Sequence, residues 1–255
     1  MASPRLALAH GRSLTATEAA AALRERYEFV SEDEADIVVA LGGDGFMLKT
    51  QNRFMSSGKP VYGMNKGTVG FLMNEYRPDG LAERIAVAKQ ERIHPLNMTA
   101  VDADGREHRA SAINEVSLFR SSAQAARLEI VVDGRVRLDA LVCDGVMVAT
   151  PQGSTAYNLS AHGPILPLKS PLLALTPVSP FRPRGWRGAL LPNTARVTMR
   201  VLEPKKRPVS AVADHTEVRR AVEVTIAEDR ERFGLMLFDP DHSWDERILN
   251  EQFRY

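Results

Sequence analysis

An apolar run of five, Ile37-Val38-Val39-Ala40-Leu41, leads straight into Gly42-Gly43-Asp44-Gly45, and no other junction constrains the fold as much. A short continuous apolar run bounded by turn residues reads as a strand buried on both faces, the pattern of a parallel sheet covered by helices. Glycines at the carboxyl end of such a strand allow backbone angles that side chains forbid and let a ligand approach the main chain. Open α/β sheets bind their ligands at this end, which makes Asp44 a candidate for work on a phosphate or a sugar hydroxyl. A tight turn carrying a solvated Asp has the same local sequence, so these residues alone leave both readings open.

The surrounding sequence alternates short strands and helices. Residues 5–9 read as an apolar strand, and Thr15-Ala16-Thr17-Glu18 matches a capping box that opens an Ala-rich helix to about Tyr27. Residues 46–57 read as a helix stopped by Gly58 and Pro60. Residues 61–64 form the next buried strand. Residues 78–90 form a further helix, with Leu81, Ile85 and Ala88 on one face. This order predicts a doubly wound α/β domain with a parallel sheet.

Beyond about His94-Pro95 the period falls towards two. Asp104-Gly105, Asp133-Gly134 and Asp144-Gly145 each separate strand-like runs, such as residues 128–132 and 136–142, and read as hairpin turns. Further alternating runs occupy residues 195–202 and 221–227. The expectation is a β-rich, antiparallel, sandwich-like second domain. The proline-rich, basic residues 177–187 are expected to form a long connection or contact loop. The predicted division is 1–95 for the α/β domain, 96–230 for the β-rich domain, and 231–255 for a C-terminal segment packing back on the first.

Charge and composition exclude several classes. Lys and Arg (33) balance Asp and Glu (32), so no strong field attracts nucleic acid or an anionic membrane. A single cysteine, Cys143, allows no intrachain disulfide, and no charged-then-apolar leader opens the sequence; both point to the cytoplasm. No apolar stretch approaches the roughly 20 residues that span a bilayer. The six histidines show no close ligand spacing, so no protein metal site is expected. Ser154 lies in Gly-Ser-Thr rather than a Gly-x-Ser-x-Gly elbow. The Walker A spacing is absent.

Four further segments could carry chemistry. Gly63-Met64-Asn65-Lys66-Gly67-Thr68-Val69-Gly70-Phe71 follows a strand and could bring main-chain amides to a phosphate or ribose; an ordinary βα loop would read alike. Asn114-Glu115 opens a strand, and an amide beside a carboxylate can read an adenine edge and accept from ribose hydroxyls; a solvated strand start is the plainer alternative. Gly153-Ser154-Thr155-Ala156-Tyr157-Asn158-Leu159-Ser160 reads as a loop entering a helix, with Ser154 or Thr155 as cap and free amides suited to an anion. Asp144 on its own reads as a hairpin turn.

The order of these motifs resembles that of the NAD kinases: Gly42-Gly43-Asp44-Gly45, then residues 63–72, then Asn114-Glu115, then Asp144-Gly145, then Thr150-Pro151-Gln152-Gly153-Ser154-Thr155-Ala156-Tyr157 with Ser160-Ala161 and Gly163-Pro164. The resemblance spans residues 36–239. Gly-Gly-Asp-Gly alone is shared with lipid kinases; the Gly-Ser-Thr-Ala-Tyr segment is far more specific. The resemblance implies phosphoryl transfer from ATP, or from inorganic polyphosphate, to the adenosine 2′-hydroxyl of NAD. Mg²⁺ would travel with the nucleotide. It further implies that Asp44 orients and deprotonates that hydroxyl, with Gly42, Gly43 and Gly45 forming the phosphate loop. Asn114 and Glu115 would contact the adenine and its ribose. Thr155, Ala156, Tyr157 and Ser160 would line the same pocket, and Gly70, Phe71 and Leu72 would wall it. Asp144 would come from a neighbouring subunit of a homodimer or homotetramer.

The sequence departs from the family pattern in places. Phe46 stands where relatives place Thr or Ser, and His162 replaces a glycine of Ser-Ala-Gly-Gly-Pro. Phe181 and His215 lie in divergent surroundings. The rivals are a lipid kinase, which should lack the segment around Tyr157, and a non-catalytic dinucleotide-binding regulator, which should lack Asp44.

Overall fold

The computed structural model describes residues 4–67, 70–242 and 253. The chain divides into two compact units, one of residues 1–93 with 231–255, the other of residues 94–230.

The first unit is built on a five-stranded sheet in the order Leu6–His10, Ile37–Gly42, Val61–Asn65, Gly234–Phe238, Lys89–Ile93. The first four strands run parallel and the last antiparallel. The apolar run lies near the middle, with Val38, Val39, Ala40 and Leu41 fully buried. Complete burial of a valine or leucine side chain contributes about 1.5–3 kcal/mol. Helix Leu14–Arg24 buries Ala19, Ala20 and Leu23 against this sheet's core.

Element ends differ from the sequence expectation, for local reasons. Ser13, not Thr15, caps the first helix, its Oγ accepting the Ala16 N–H at 3.2 Å. The helix stops at Arg24 rather than near Tyr27, whose hydroxyl instead donates to the Pro78 carbonyl. The second helix begins two residues earlier than expected and spans Asp44–Phe54; a 3₁₀ turn, Met55–Ser57, follows, and Gly58 takes the left-handed φ of 67°. The helix expected over 78–90 is only Leu81–Val87. Residues Lys89–Ile93 form an edge strand beside Gly234–Phe238. Four polar residues in that strand hide its two-residue period, and an exposed edge tolerates them.

The second unit is an antiparallel sandwich of two six-stranded sheets. One runs Ala189–Pro192, Leu172–Val178, Gly145–Ala149, Glu115–Arg120, Val209–Ala213, Thr216–Val218; the other runs Glu107–Ala112, Leu96–Asp102, Ala221–Glu228, Val197–Val201, Ala126–Val132, Arg135–Cys143. Alternate residues of both sheets, among them Leu96, Met98, Val116, Leu118, Val146, Val197 and Val224, share one core. The α/β unit with its parallel strands and the antiparallel sandwich agree with the fold read from the sequence.

Asp133-Gly134 makes a tight hairpin with both residues at positive φ, as this dipeptide favours. Asp144-Gly145 does not. Arg135–Cys143 lies in one sheet, and Gly145–Ala149 pairs with Glu115–Arg120 and Leu172–Val178 in the other, so this pair turns a corner between sheets. Short strands on either side of Asp-Gly look alike whether they pair with each other or part. Residues 177–178 belong to Leu172–Val178, so the connection expected over 177–187 starts later.

Candidate functional site

In the first unit the chain leaves strand Ile37–Gly42, takes an extended Gly43 as N-cap, and enters its helix at Asp44. Both carboxylate oxygens are held: Oδ2 accepts the Phe71 N–H at 3.0 Å and Oδ1 the Leu72 N–H at 2.9 Å. The helix N-terminus favours the negative charge placed there. Leu72 itself is buried in the core and contributes its backbone here.

The glycines around Asp44 have different reasons. A β-carbon on Gly42 would sit 2.7 Å from Phe46 Cβ, because the Phe46 ring packs across the strand end. Phe46 therefore fills space at this position and offers no hydroxyl. Gly43 and Gly67 pass so closely that a β-carbon on Gly67 would lie 2.9 Å from Gly43 Cα. Asn65 Oδ1 accepts the Gly67 N–H at 2.8 Å and its side chain lies over Gly70, pinning the loop after its strand. Gly45 is exposed, and nothing lies within 4 Å of the place its β-carbon would take. Thr68 and Val69 lie outside the described residues.

In the second unit the Asn114-Glu115 pair stands at the start of strand Glu115–Arg120. Its backbone is fully engaged. The half-buried Asp214 carboxylate accepts the Ile113 N–H at 2.7 Å and the Asn114 N–H at 3.1 Å. The Asn114 carbonyl accepts the Thr150 N–H at 2.9 Å, and Thr150 Oγ1 donates to the Ile113 carbonyl at 2.7 Å. The side chains are the opposite case: Asn114 Oδ1, Glu115 Oε2 and both amide atoms of Gln152 are buried without a hydrogen-bond partner. A buried polar atom left unpaired costs about 1–3 kcal/mol, so these groups call for a ligand or water. Burial, and secondarily the Asp214 charge, push the Glu115 carboxyl up to about 7. Burial likewise raises Asp214, partly offset by the backbone amides it accepts.

The Gly153–Ser160 segment forms a 3₁₀ turn, Gly153–Thr155, and one short helical turn, Tyr157–Ser160. The expected cap by Ser154 or Thr155 is absent. Ser154 Oγ donates to the Pro151 carbonyl and accepts the Leu166 N–H at 2.9 Å, while Thr155 Oγ1 donates to the Gln152 carbonyl. Tyr157 is exposed, its ring 5.7 Å from Phe119, and Ser160 is exposed on the same turn; Ala156 is half-buried. Asn158 is buried and fully used, binding Ser154, Pro164 and Thr176. His162 adopts φ 60°, a left-handed conformation that glycine takes most easily. Histidine enters this region several-fold more readily than most side chains.

Asp144 is half-exposed and accepts from Arg120 Nε at 2.6 Å. Phe181 is exposed, with the Arg182 and Arg184 guanidinium groups 5.7 and 5.6 Å from its ring centroid. His215 follows Asp214 in the turn between Val209–Ala213 and Thr216–Val218. Asp214, Thr150 and Gln152 had no role assigned from sequence. An Asp between two alternating runs signals only a turn, and its grip on residues about 100 positions away is invisible locally.

Among the described residues no group of three or more His, Cys, Asp or Glu side chains could hold a metal ion, and no helix is long and apolar enough to cross a membrane.

Comparison with known proteins brings these features together. Residues 6–90 match the ATP-NAD kinase N-terminal domain and residues 113–228 the ATP-NAD kinase C-terminal domain. The chain is 59% identical to the NAD kinase of Mesorhizobium japonicum, covering 100% of this chain and 99% of that protein. It is 60% identical to the NAD kinase of Caulobacter vibrioides, over 93% and 92% of the two chains. The fold is similar to that of yeast NADH kinase complexed with NADH, with a TM-score of 0.82, 21% identity, and coverage of 97% of this chain and 87% of that one. It is also similar to an NAD kinase from Archaeoglobus fulgidus in complex with ATP, with a TM-score of 0.73, 24% identity, and coverage of 93% and 95%.

Proposed function

The chain belongs to the NAD kinase family and phosphorylates NAD to NADP, and on that premise we propose that Asp44 is the group that acts on the adenosine 2′-hydroxyl. The observation that carries this reading is the Asp44 carboxylate itself, fixed through both oxygens by the Phe71 and Leu72 amides at a helix N-terminus. The 2′-oxygen forms a bond to the terminal phosphorus of the donor, the bond to the donor's bridging oxygen breaks, and the hydroxyl proton passes to Asp44. Such transfer has a loose transition state, so alignment and charge neutralisation do most of the work. Alignment supplies about 7–11 kcal/mol in favourable cases, whereas a positioned base contributes about 10²–10⁴ in rate.

Asn114 and Glu115 hold the adenine and ribose hydroxyls, an assignment supported by their unpartnered side-chain atoms. Thr155, Ala156, Tyr157 and Ser160 line that pocket, with Tyr157 offering an exposed ring for stacking. The Phe71 and Leu72 amides hold Asp44, Gly70, Phe71 and Leu72 wall the NAD pocket, and Gly43 and Gly45 admit phosphates to the main chain, the space over Gly42 being taken by Phe46. ATP is the donor, with polyphosphate as the alternative. Mg²⁺ would travel with the donor's phosphates and offset part of their charge, as suits an ion that keeps most of its water and takes few protein ligands. The enzyme works in the cytoplasm as a homodimer or homotetramer in which Asp144 serves a neighbouring subunit.

Purified protein given NAD, Mg²⁺ and either ATP or polyphosphate is expected to form NADP with ATP at the higher rate. Absence of NADP with both donors contradicts the reading.

A further inference from the structure

Asn114 differs from the other candidate ligand-binding residues in how completely its backbone is used and how little its side chain is. Its N–H is taken by Asp214 Oδ1 at 3.1 Å, while Asp214 Oδ2 takes the preceding amide, Ile113 N–H, at 2.7 Å. Its carbonyl accepts the Thr150 N–H at 2.9 Å. The Thr150 hydroxyl donates to the Ile113 carbonyl at 2.7 Å and to the Asn114 carbonyl at a longer 3.2 Å, and it accepts the Gly153 N–H at 3.0 Å. Gly153 lies so close that any β-carbon there would collide with the Asn114 carbonyl. Two turns distant in sequence thus close on one residue from opposite ends of its main chain. Asp214 adopts a left-handed φ of 47° in this turn, a region that aspartate enters more readily than most side chains.

The side chains emerging from this grip are unsatisfied: Asn114 Oδ1 and Glu115 Oε2 are buried and unpaired. A scaffold bonded throughout, presenting unpaired polar atoms, is what a preorganised recognition element requires. We propose that Asp214 and Thr150 are positioning residues that clamp the Asn114 backbone, so that Asn114 and Glu115 stand ready for NAD before it binds. This rests on the reading of Asn114 and Glu115 as NAD-binding residues. Neither positioning residue touches the transferred phosphoryl group, so both act on NAD affinity and leave the chemical step alone.

The test is steady-state kinetics at fixed saturating ATP on Asp214→Asn, Thr150→Val, Thr150→Ser and Asn114→Ala. Asparagine keeps the shape of aspartate but can accept at one oxygen only and turns an NH₂ towards the second amide. Valine removes the Thr150 hydroxyl, and serine keeps it. Losing one such hydrogen bond corresponds to about a tenfold change. Asp214→Asn and Thr150→Val are therefore expected to raise KM for NAD about tenfold with kcat within about threefold of wild type, as for loss of uniform binding. Thr150→Ser is expected to return KM towards wild type. A protein that merely lost stability would show no such split once folded, and the serine rescue separates a hydroxyl effect from a packing effect. If Asp214→Asn does not fold, the Thr150→Val and Thr150→Ser pair carries the test. An unchanged KM for NAD in both clamp variants, with Asn114→Ala raised, overturns the clamp while preserving the role of Asn114. An unchanged KM in Asn114→Ala overturns that role, and the clamp with it.

Discussion

Burial and the nearby Asp214 charge give Glu115 a carboxyl that titrates near 7, where its unfolded counterpart titrates in the ordinary carboxylate range. The folded value lies above the unfolded one, so the folded protein holds an extra proton between those values. The stabilisation is present below the unfolded value and is lost as pH rises through about 7. Glu115→Gln removes this titration while keeping the shape. Urea unfolding of both proteins at pH 5 and pH 8 is expected to show wild type losing roughly 2 kcal/mol relative to the variant on going to pH 8, the part of the shift that lies above pH 5. An equal difference at the two values contradicts the role of burial. Asp44 was legible from sequence because its setting is local: apolar strand, glycine turn, helix start. Asp214 was not, because its partners Ile113 and Asn114 are about 100 residues away and an Asp in a turn needs no such explanation.

At the scale of elements, the glycines divide into those the fold requires and those it does not. Gly153 is pressed against the Asn114 carbonyl, so Gly153→Ala is expected to cost about 3 kcal/mol or more, or to prevent folding. Gly45 lies inside helix Asp44–Phe54 with open space around it. Alanine is the better helix former, by up to about 0.5–1 kcal/mol in a helix interior and less in this first turn, so Gly45→Ala is expected to raise the thermal midpoint slightly. If Gly45 belongs to the proposed phosphate loop, the added methyl stands in the path of the phosphates and the rate of NADP formation is expected to fall. A variant both more stable and fully active would remove Gly45 from the phosphate loop. Helix and strand cores were legible from period, as residues 37–41 and 128–132 show. Their ends were not, since Ser13 and Thr15 compete as caps within one turn, and the charged strand Lys89–Ile93 carries no apolar alternation. The corner at Asp144-Gly145 depends on which sheet each strand joins, which no short window records.

For the whole molecule, the order of elements along the chain is not their order in space. Strand Gly234–Phe238 inserts between Val61–Asn65 and Lys89–Ile93, far from both in sequence. Buried Asn74 fastens it, donating to the Leu237 carbonyl at 2.9 Å and accepting the Asp239 N–H at 2.9 Å. Asp239 in turn accepts from Tyr62 at 2.6 Å and pairs with Arg84. A chain ended after residue 230 loses an inner strand and leaves these groups unpaired. It is expected to be insoluble or to lack the cooperative unfolding transition of the full chain, read by circular dichroism. A truncated chain that folds and makes NADP would contradict the structural role of that strand. The fold class followed from composition and period. The reaction followed from the succession of short motifs whose spacing no fold class imposes, and the relatives confirm the family.

The central claim is that Asp44 acts on the 2′-hydroxyl of NAD, and the most direct measurement is turnover of Asp44→Asn beside its NAD affinity. Asparagine accepts one of the two amides now held at 3.0 and 2.9 Å, so a matched thermal midpoint must be shown first. With folding intact, kcat for NADP formation is expected to fall by at least about 10², the lower end for a positioned base, while the NAD dissociation constant stays within a few-fold. Wild-type turnover by Asp44→Asn would contradict the account.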